Sequence, residues 1–400
     1  MLTSLPHRAA EDAARSPSKP FPFTPSVIDT HDKTIVDLDT DEIYDLNIDD
    51  ESETSVTFKN YHSYIKNKKW FILGCFVILV IGVIIASNIG SMNIPFWDVI
   101  RSIFTFNAEG VGHIVWNVRM VRILACILVG AGLAVAGVVM QCILRNPLAS
   151  PYTLGLSSAA AFGASFAIVI LQAGSSATSG ITINNPYITT ICAFLFSLLA
   201  TAIILILTRI TKVTAETMVL AGVAINAIFT AALSFMQYIA SDTQLANIIS
   251  WTFGNMGRAT WTWDLILFAV LLPIVMYFIY RRWDYNAIDS GEETAKGLGI
   301  NTERERTIGM ILAVLVSSVA VSFFGIIAFI GLLGPHIARM IIGGDHRYLI
   351  PASILIGSLI MVISDVIGMN ILHPMVIPVG IITSMLGGPL FIYLLIRRYR

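Results

Sequence analysis

From Trp70 to the C-terminus the sequence is a string of apolar runs, most of them about as long as a bilayer core is thick. Lipid offers no hydrogen bonds, so a run of this kind has to satisfy its own backbone, and the helix does so. Composition agrees, with 56% of the 400 residues apolar and 13% charged. The expected class is an all-α integral membrane protein. A formal charge of −1 leaves no electrostatic footprint for nucleic acid.

Arg119 to Gly155 is the most informative stretch. Two arginines, Arg119 and Arg122, open it, and Arg145 closes it before a proline-punctuated turn. Gly130, Ala134 and Gly137 recur at helical spacing. Small residues let helix backbones approach closely in a membrane, where packing replaces the hydrophobic drive. This run is therefore expected to be packed among other helices and not to face lipid.

Residues 1–65 read as a disordered, acidic cytoplasmic tail. Pro17, Pro20, Pro22 and Pro25 cluster early, and acidic residues dominate from Asp37 to Glu53. No apolar core follows the early basic residues, so the segment does not read as a signal peptide. A regulatory tail is the alternative, without a motif to support it. Residues 66–400 form the membrane domain.

Ten spans are expected there, at about 70–89, 119–145, 152–171, 187–207, 218–239, 265–280, 308–327, 335–342, 349–369 and 379–396. Residues 91–118 suit an amphipathic interfacial segment. The eighth is short or broken, following Gly331-Leu332-Leu333-Gly334-Pro335-His336. Basic residues sort accordingly: Arg101, Arg119, Arg122 and Arg258 fall outside, while Lys66, Lys68, Lys69, Arg397, Arg398 and Arg400 fall inside. The expected location is the cell membrane, multi-pass, with both termini cytoplasmic.

Ionisable residues are nearly absent from the spans. Asp365 is the clearest exception and reads as a packing or capping carboxylate more readily than as an ion relay. An ion-coupled secondary transporter is thereby disfavoured. No P-loop occurs, so no ATPase activity of this chain is expected, and no enzyme or cofactor site is expected either. The four cysteines, Cys75, Cys126, Cys142 and Cys192, read as packing residues, and no metal site is expected. The chain reads as a conduit whose energy comes from elsewhere. Asp284 to Arg306 could receive it: Glu292 to Lys296 forms helix, and Gly297 and Gly299 stop it. The alternative is a solvated loop.

These segments resemble the permease subunit of type II ABC importers, the FecCD/cobalamin-uptake family, over about residues 70–400. The resemblance rests on an ordered set of blocks. They are Arg119-x-x-Arg122, Gly137 to Gln141, R-N-P-L-A-S-P from Arg145 with Gly155, Leu220 to Ala224, and Ala295 to Ile300. Gly331 to Arg339, Asp345 to Arg347 and Pro378 to Phe391 complete it.

The resemblance implies a second permease subunit, two ATP-binding subunits that hold ATP and Mg, and an extracytoplasmic substrate-binding protein. It implies docking of that protein at Arg119 and Arg122; interface anchoring is the alternative. It implies ATPase coupling at Glu292, Glu293, Ala295, Lys296, Gly297 and Gly299. Thr217, Asn226, Thr383 and Ser384 become pathway residues, with helix packing as their alternative. Asn146, Pro147, Gly155, Pro335, His336, Arg339, Asp365, Gly380 and Pro389 become structural positions. Ferric siderophore is the cargo expected first, with cobalamin, haem and molybdate or tungstate as alternatives. Two departures stand out. Met369 occupies the place of a further arginine after Asp365, and Ala215 and Glu216 stand where the family often has small hydroxyl gate residues.

Overall fold

The computed structural model describes residues 26–29, 34–37, 43–45, 51–90, 94–105, 110–173, 186–211, 215–372 and 374–398, without the side chains of 26–29, 34–37, 43–45, 51–64, 104, 208, 209, 211, 215–217, 394, 395, 397 and 398. The chain divides into two compact units, Met1–Asn67 and Lys68–Arg400.

In the first unit, the segment expected to be disordered holds three short strands, β1 (Ser26–Asp29), β2 (Thr34–Asp37) and β3 (Ile43–Asp45). They pair antiparallel in that order, with Val27 opposite Val36 and Ile35 opposite Tyr44. The physical reason is local: brief β-branched stretches between the acidic residues lie in phase with one another. A sheet of strands this short is marginal by itself. The remaining residues of 1–50 lie outside the described set. Helix α1 (Glu51–Asn88) begins before the boundary expected at residue 65.

In the second unit α2 (Phe96–Thr105) is the expected amphipathic segment, exposing Phe96 and Trp97 while burying Val99 and Ser102. The second span starts earlier than Arg119. Helix α3 (Val111–Ile114) passes through a π-helical stretch, Val115–Met120, into α4 (Val121–Ile143), a continuous run of 33 residues. Next come α5 (Leu156–Val169), α6 (Pro186–Thr211), α7 (Ala215–Ile239) and α8 (Asp242–Thr252). A Ser241–Gln244 capping box opens α8. Helix α9 (Trp261–Tyr280) leads to two short helices, α10 (Arg282–Ser290) and α11 (Glu292–Gly297). The chain ends with α12 (Thr302–Phe324), α13 (Ile330–Ile342), α14 (His346–Asn370) and α15 (Val379–Arg398).

Among the described residues, seven helices are long and apolar enough to cross a membrane; α5, α13 and the apolar part of α15 are shorter. The three short ones sit where the third, eighth and tenth runs were expected.

Helix α4 is the spine. It packs on α9, α12, α13 and α14 and is buried on nearly all sides. Its small residues explain how. A Cβ at Gly130 would stand 2.5 Å from the Gly357 carbonyl oxygen of α14, and one at Gly137 would overlap the Gly331 carbonyl of α13. Pro335, inside α13, has no N–H to offer that carbonyl four residues back. The glycine in α4 makes room for it.

The expected break lies between α12 and α13, over residues 325–329. Gly325 (φ +83°) and Phe329 (φ +68°) adopt left-handed conformations there. Helix α13 starts at Ile330, five residues before Pro335; the proline lies past the first turn, and the Gly331 carbonyl it leaves without a donor faces Gly137 of α4. Residues 326–328 are largely buried, as irregular backbone at membrane depth has to be.

Candidate functional site

Helix α9 ends at Arg281, whose guanidinium pairs with Glu305 of α12 and with Asp284 one turn on. The Glu305 hydrogen bond, the largest influence on Arg281, holds its pKa above the ordinary value. This fastening turns the chain back, and α10 lays Tyr285, Ala287 and Ile288 inward. Tyr285 is fully buried against Phe278 and His346, and burial raises its hydroxyl pKa.

Gly291, at φ +140°, makes the corner into α11, where a side chain would be strained. Glu292 and Glu293 occupy the first turn of α11 and Lys296 the last, the arrangement that suits a helix dipole. Gly299, at φ +81°, ends the knob, and Asn301 caps α12 by accepting from the Arg304 N–H.

The six expected coupling residues have different roles. Glu292 is turned inward, bonding Lys296 at 3.2 Å and Arg306 of α12 at 3.3 Å. Lys296 first, then Arg306, hold its carboxyl below the usual range against the opposing effect of burial. Ala295 is fully buried. Glu293 is 96% exposed, and Leu298 beside it is 68% exposed. Lys296, Gly297 and Gly299 are also exposed. The knob is a braced platform that presents a carboxylate and an apolar side chain to solvent.

Further bonds brace its other side. Asn286 donates to Asp345 at 3.0 Å and accepts from the His346 N–H at 2.7 Å. Asp345 caps α14 and takes Arg347 through Nε and Nη2. Burial would raise the Asp345 pKa, but the Arg347 and Asn286 hydrogen bonds outweigh it, giving about 2. Arg145 reaches the Ile288 carbonyl, and Arg306 the Ile143 carbonyl.

At the opposite end of α4, the two arginines expected at a docking surface are engaged within the chain. Arg122 is bidentate on Asp365 of α14, at 2.7 and 2.8 Å. Arg119 is buried, donating to the Ser87 carbonyl at 2.7 Å. Neither offers a free exposed guanidinium. The reason is that Asp365, expected to bond backbone, meets the first basic side chain on the facing spine helix. Arg119, Arg122 and Met369 line a cavity of about 220 Å³.

Of the expected pathway residues, Asn226 and Ser384 are exposed. Thr383, which is buried, and Ser384 both donate to the Gly380 carbonyl. Thr217 lies in α7, and its side chain is outside the described set, as are those of Ala215 and Glu216.

Asn146 accepts from the Leu148 N–H, closing an Asx turn before the half-buried Pro147. Gly155 has φ +79°, and a Cβ there would stand 2.9 Å from the Asn226 nitrogen. At Gly380 it would meet the Phe253 and Ile326 carbonyl oxygens. Pro335 is buried within α13, His336 and Arg339 are half-buried, and Pro389 is exposed in α15.

Two groupings escaped the sequence reading. Asp264 is a second carboxylate buried at a span, in the first turn of α9, one residue before the expected start of that run. Cys142, Asp289 and His346 come together from three elements with no common spacing.

Residues 78–397 match the FecCD transport family. A Methanocaldococcus jannaschii protein, MJ0087, which carries the name of an ABC transporter permease, is 48% identical over 343 residues, covering 86% of this chain and 98% of its own. The hemin transport system permease protein HmuU of Yersinia pestis is 35% identical over 331 residues, covering 82% and 95%. A solved structure described as an inward-facing metal-chelate type ABC transporter superposes with a TM-score of 0.69 at 28% identity, covering 82% of this chain and 99% of that one.

Proposed function

The chain belongs to the FecCD transport family, and we propose that it is the permease subunit of an ATP-driven importer for a ferric siderophore. It crosses the cell membrane ten times with both termini in the cytoplasm. It pairs with a second permease subunit, takes its energy from two ATP-binding subunits, and receives cargo from an extracytoplasmic binding protein. The observation that carries this reading is the braced knob. Glu292 is consumed by Arg306 and Lys296, while Glu293 and Leu298 face outward on a platform tied to α4, α12 and α14. Such a surface can pass a push from a docked motor domain into the spine without yielding itself.

In this mechanism closure of the ATPase pair displaces α10 and α11, and the bracing bonds carry the movement to the helices. The pathway faces of α7 and α15, with Asn226 and Ser384, then open alternately to the two sides. ATP and Mg stay with the partner subunits. Haem is a second reading for the cargo, favoured by the similarity to the hemin permease.

The test is uptake into proteoliposomes that contain the chain with its ATPase and binding protein, supplied in parallel with labelled ferric siderophore, haem and cobalamin. ATP-dependent siderophore uptake, lost in Glu293→Arg, is the expected result. Uptake of haem alone replaces the cargo. Ion-gradient-driven transport by the chain alone overturns the reading.

A further inference from the structure

Beneath the knob, the last turn of α4, the C-terminal half of α10 and the first residue of α14 converge. They bring Cys142, Asp289 and His346 together, with one ligand atom of each within 4.8 Å of the other two. Cys142 and His346 are fully buried, whereas Asp289 keeps 29% of its side chain exposed. His346 Nδ1 stands 3.9 Å from Asp289 Oδ2 and 3.0 Å from Asn286 Oδ1. Its Nε2 is buried and has no hydrogen-bond partner among the described residues. Cys142 Sγ has a weak contact, 3.4 Å to the Tyr285 carbonyl.

A purely structural histidine in a dry interior normally has both ring nitrogens satisfied. This one has a neighbouring thiol and carboxylate on separate elements, and half of its own hydrogen-bonding capacity is unused. Sulfur, imidazole and carboxylate together are the donors of Zn²⁺ and its borderline-soft neighbours; Mg²⁺ and Ca²⁺ favour all-oxygen shells.

We propose that Cys142, Asp289 and His346 bind a divalent transition-metal ion of the Zn²⁺ class. Thiolate and carboxylate neutralise the ion. Donors on a tetrahedral zinc lie about 3.4–3.8 Å apart, given the usual bond lengths. Loading therefore contracts the group by up to about 1 Å and draws α10 towards α4 and α14. The solvent-exposed side of Asp289 is the entry path. The site is independent of cargo identity and of how the chain is powered.

The test uses the full chain, reduced, stripped with chelator and reconstituted in nanodiscs, titrated with Co²⁺ as an optical probe. The expected result is one Co²⁺ per chain with a thiolate-to-cobalt charge-transfer band that Zn²⁺ displaces. Cys142→Ala should abolish the band while Cys75, Cys126 and Cys192 remain. Asp289→Asn, at an exposed position that leaves the fold intact, should weaken Co²⁺ binding by about tenfold or more. Absence of stoichiometric binding, a band that survives Cys142→Ala, or unchanged affinity in Asp289→Asn overturns the proposal. Should Cys142→Ala not fold, the Asp289→Asn titration decides alone.

Discussion

The Arg122–Asp365 pair joins the spine to α14, and breaking it should be costly. Its two bonds are 2.7 and 2.8 Å, with side chains only 16% and 4% exposed. At a charge separation of about 4 Å and an effective dielectric of about 20, the attraction is ~4 kcal/mol. Removing either partner leaves the other charge buried, which typically costs about 3–5 kcal/mol. Arg122→Met and Asp365→Leu should each lose about that much. The double variant has no stranded charge and should lose less than either single variant, giving a coupling of at least about 3 kcal/mol. Unfolding equilibria in mixed micelles with increasing SDS, followed by tryptophan fluorescence, measure all four corners. A double variant whose loss equals the sum of the singles, within about 0.5 kcal/mol, would refute the pairing.

Glu293→Arg should leave thermal stability unchanged, since the side chain is almost wholly exposed, and should abolish co-purification of the ATPase. Intact assembly would count against the knob as the docking platform. Glu292→Gln should instead lower stability by about 1–3 kcal/mol by weakening the bond to the buried Arg306, measurable by the same unfolding assay. Gly137→Ala drives a methyl group into the Gly331 carbonyl, a backbone atom that cannot rotate away. A loss of about 1–3 kcal/mol or failure to fold is expected, and wild-type stability would mean the helices are further apart. Asp345 is held at about 2, below its ordinary 3.8. Because the folded pKa is the lower one, its carboxylate stabilises the fold above about pH 4, and this contribution fades as pH falls through about 2. Wild type and Asp345→Asn should therefore differ in unfolding midpoint near neutrality and converge at the acid end; parallel curves would rule out the assigned bonds.

The helix succession, the small-residue face of α4 and the two-helix knob could be read from sequence because each is local. Gly130 and Gly137 announce close backbone contact whatever the partner, and Gly299 stops a helix wherever it docks. Pairing could not be read in the same way. Arg122 and Asp365 look like an outer arginine and a lone carboxylate until α4 and α14 are placed side by side. Glu292 and Glu293 are chemically identical neighbours, and only the position of Arg306 assigns one to bracing and the other to solvent. Cys142, Asp289 and His346 belong to three elements, so no spacing rule connects them. Pro335 reads as a helix boundary in the sequence, yet α13 begins five residues before it, and only the fit of Gly137 against the Gly331 carbonyl shows how the proline is accommodated.

The burial of α4 also sets the order in which the chain can be assembled. This spine enters the membrane early, yet three of the four helices that cover it, α12, α13 and α14, are made in the last quarter of the chain. Until they arrive, lipid or a transient companion has to fill the glycine notches at Gly130 and Gly137. Insertion and packing are therefore separate stages here. A chain stopped after α9 would be threaded through the bilayer and still lack the contacts that pack its spine.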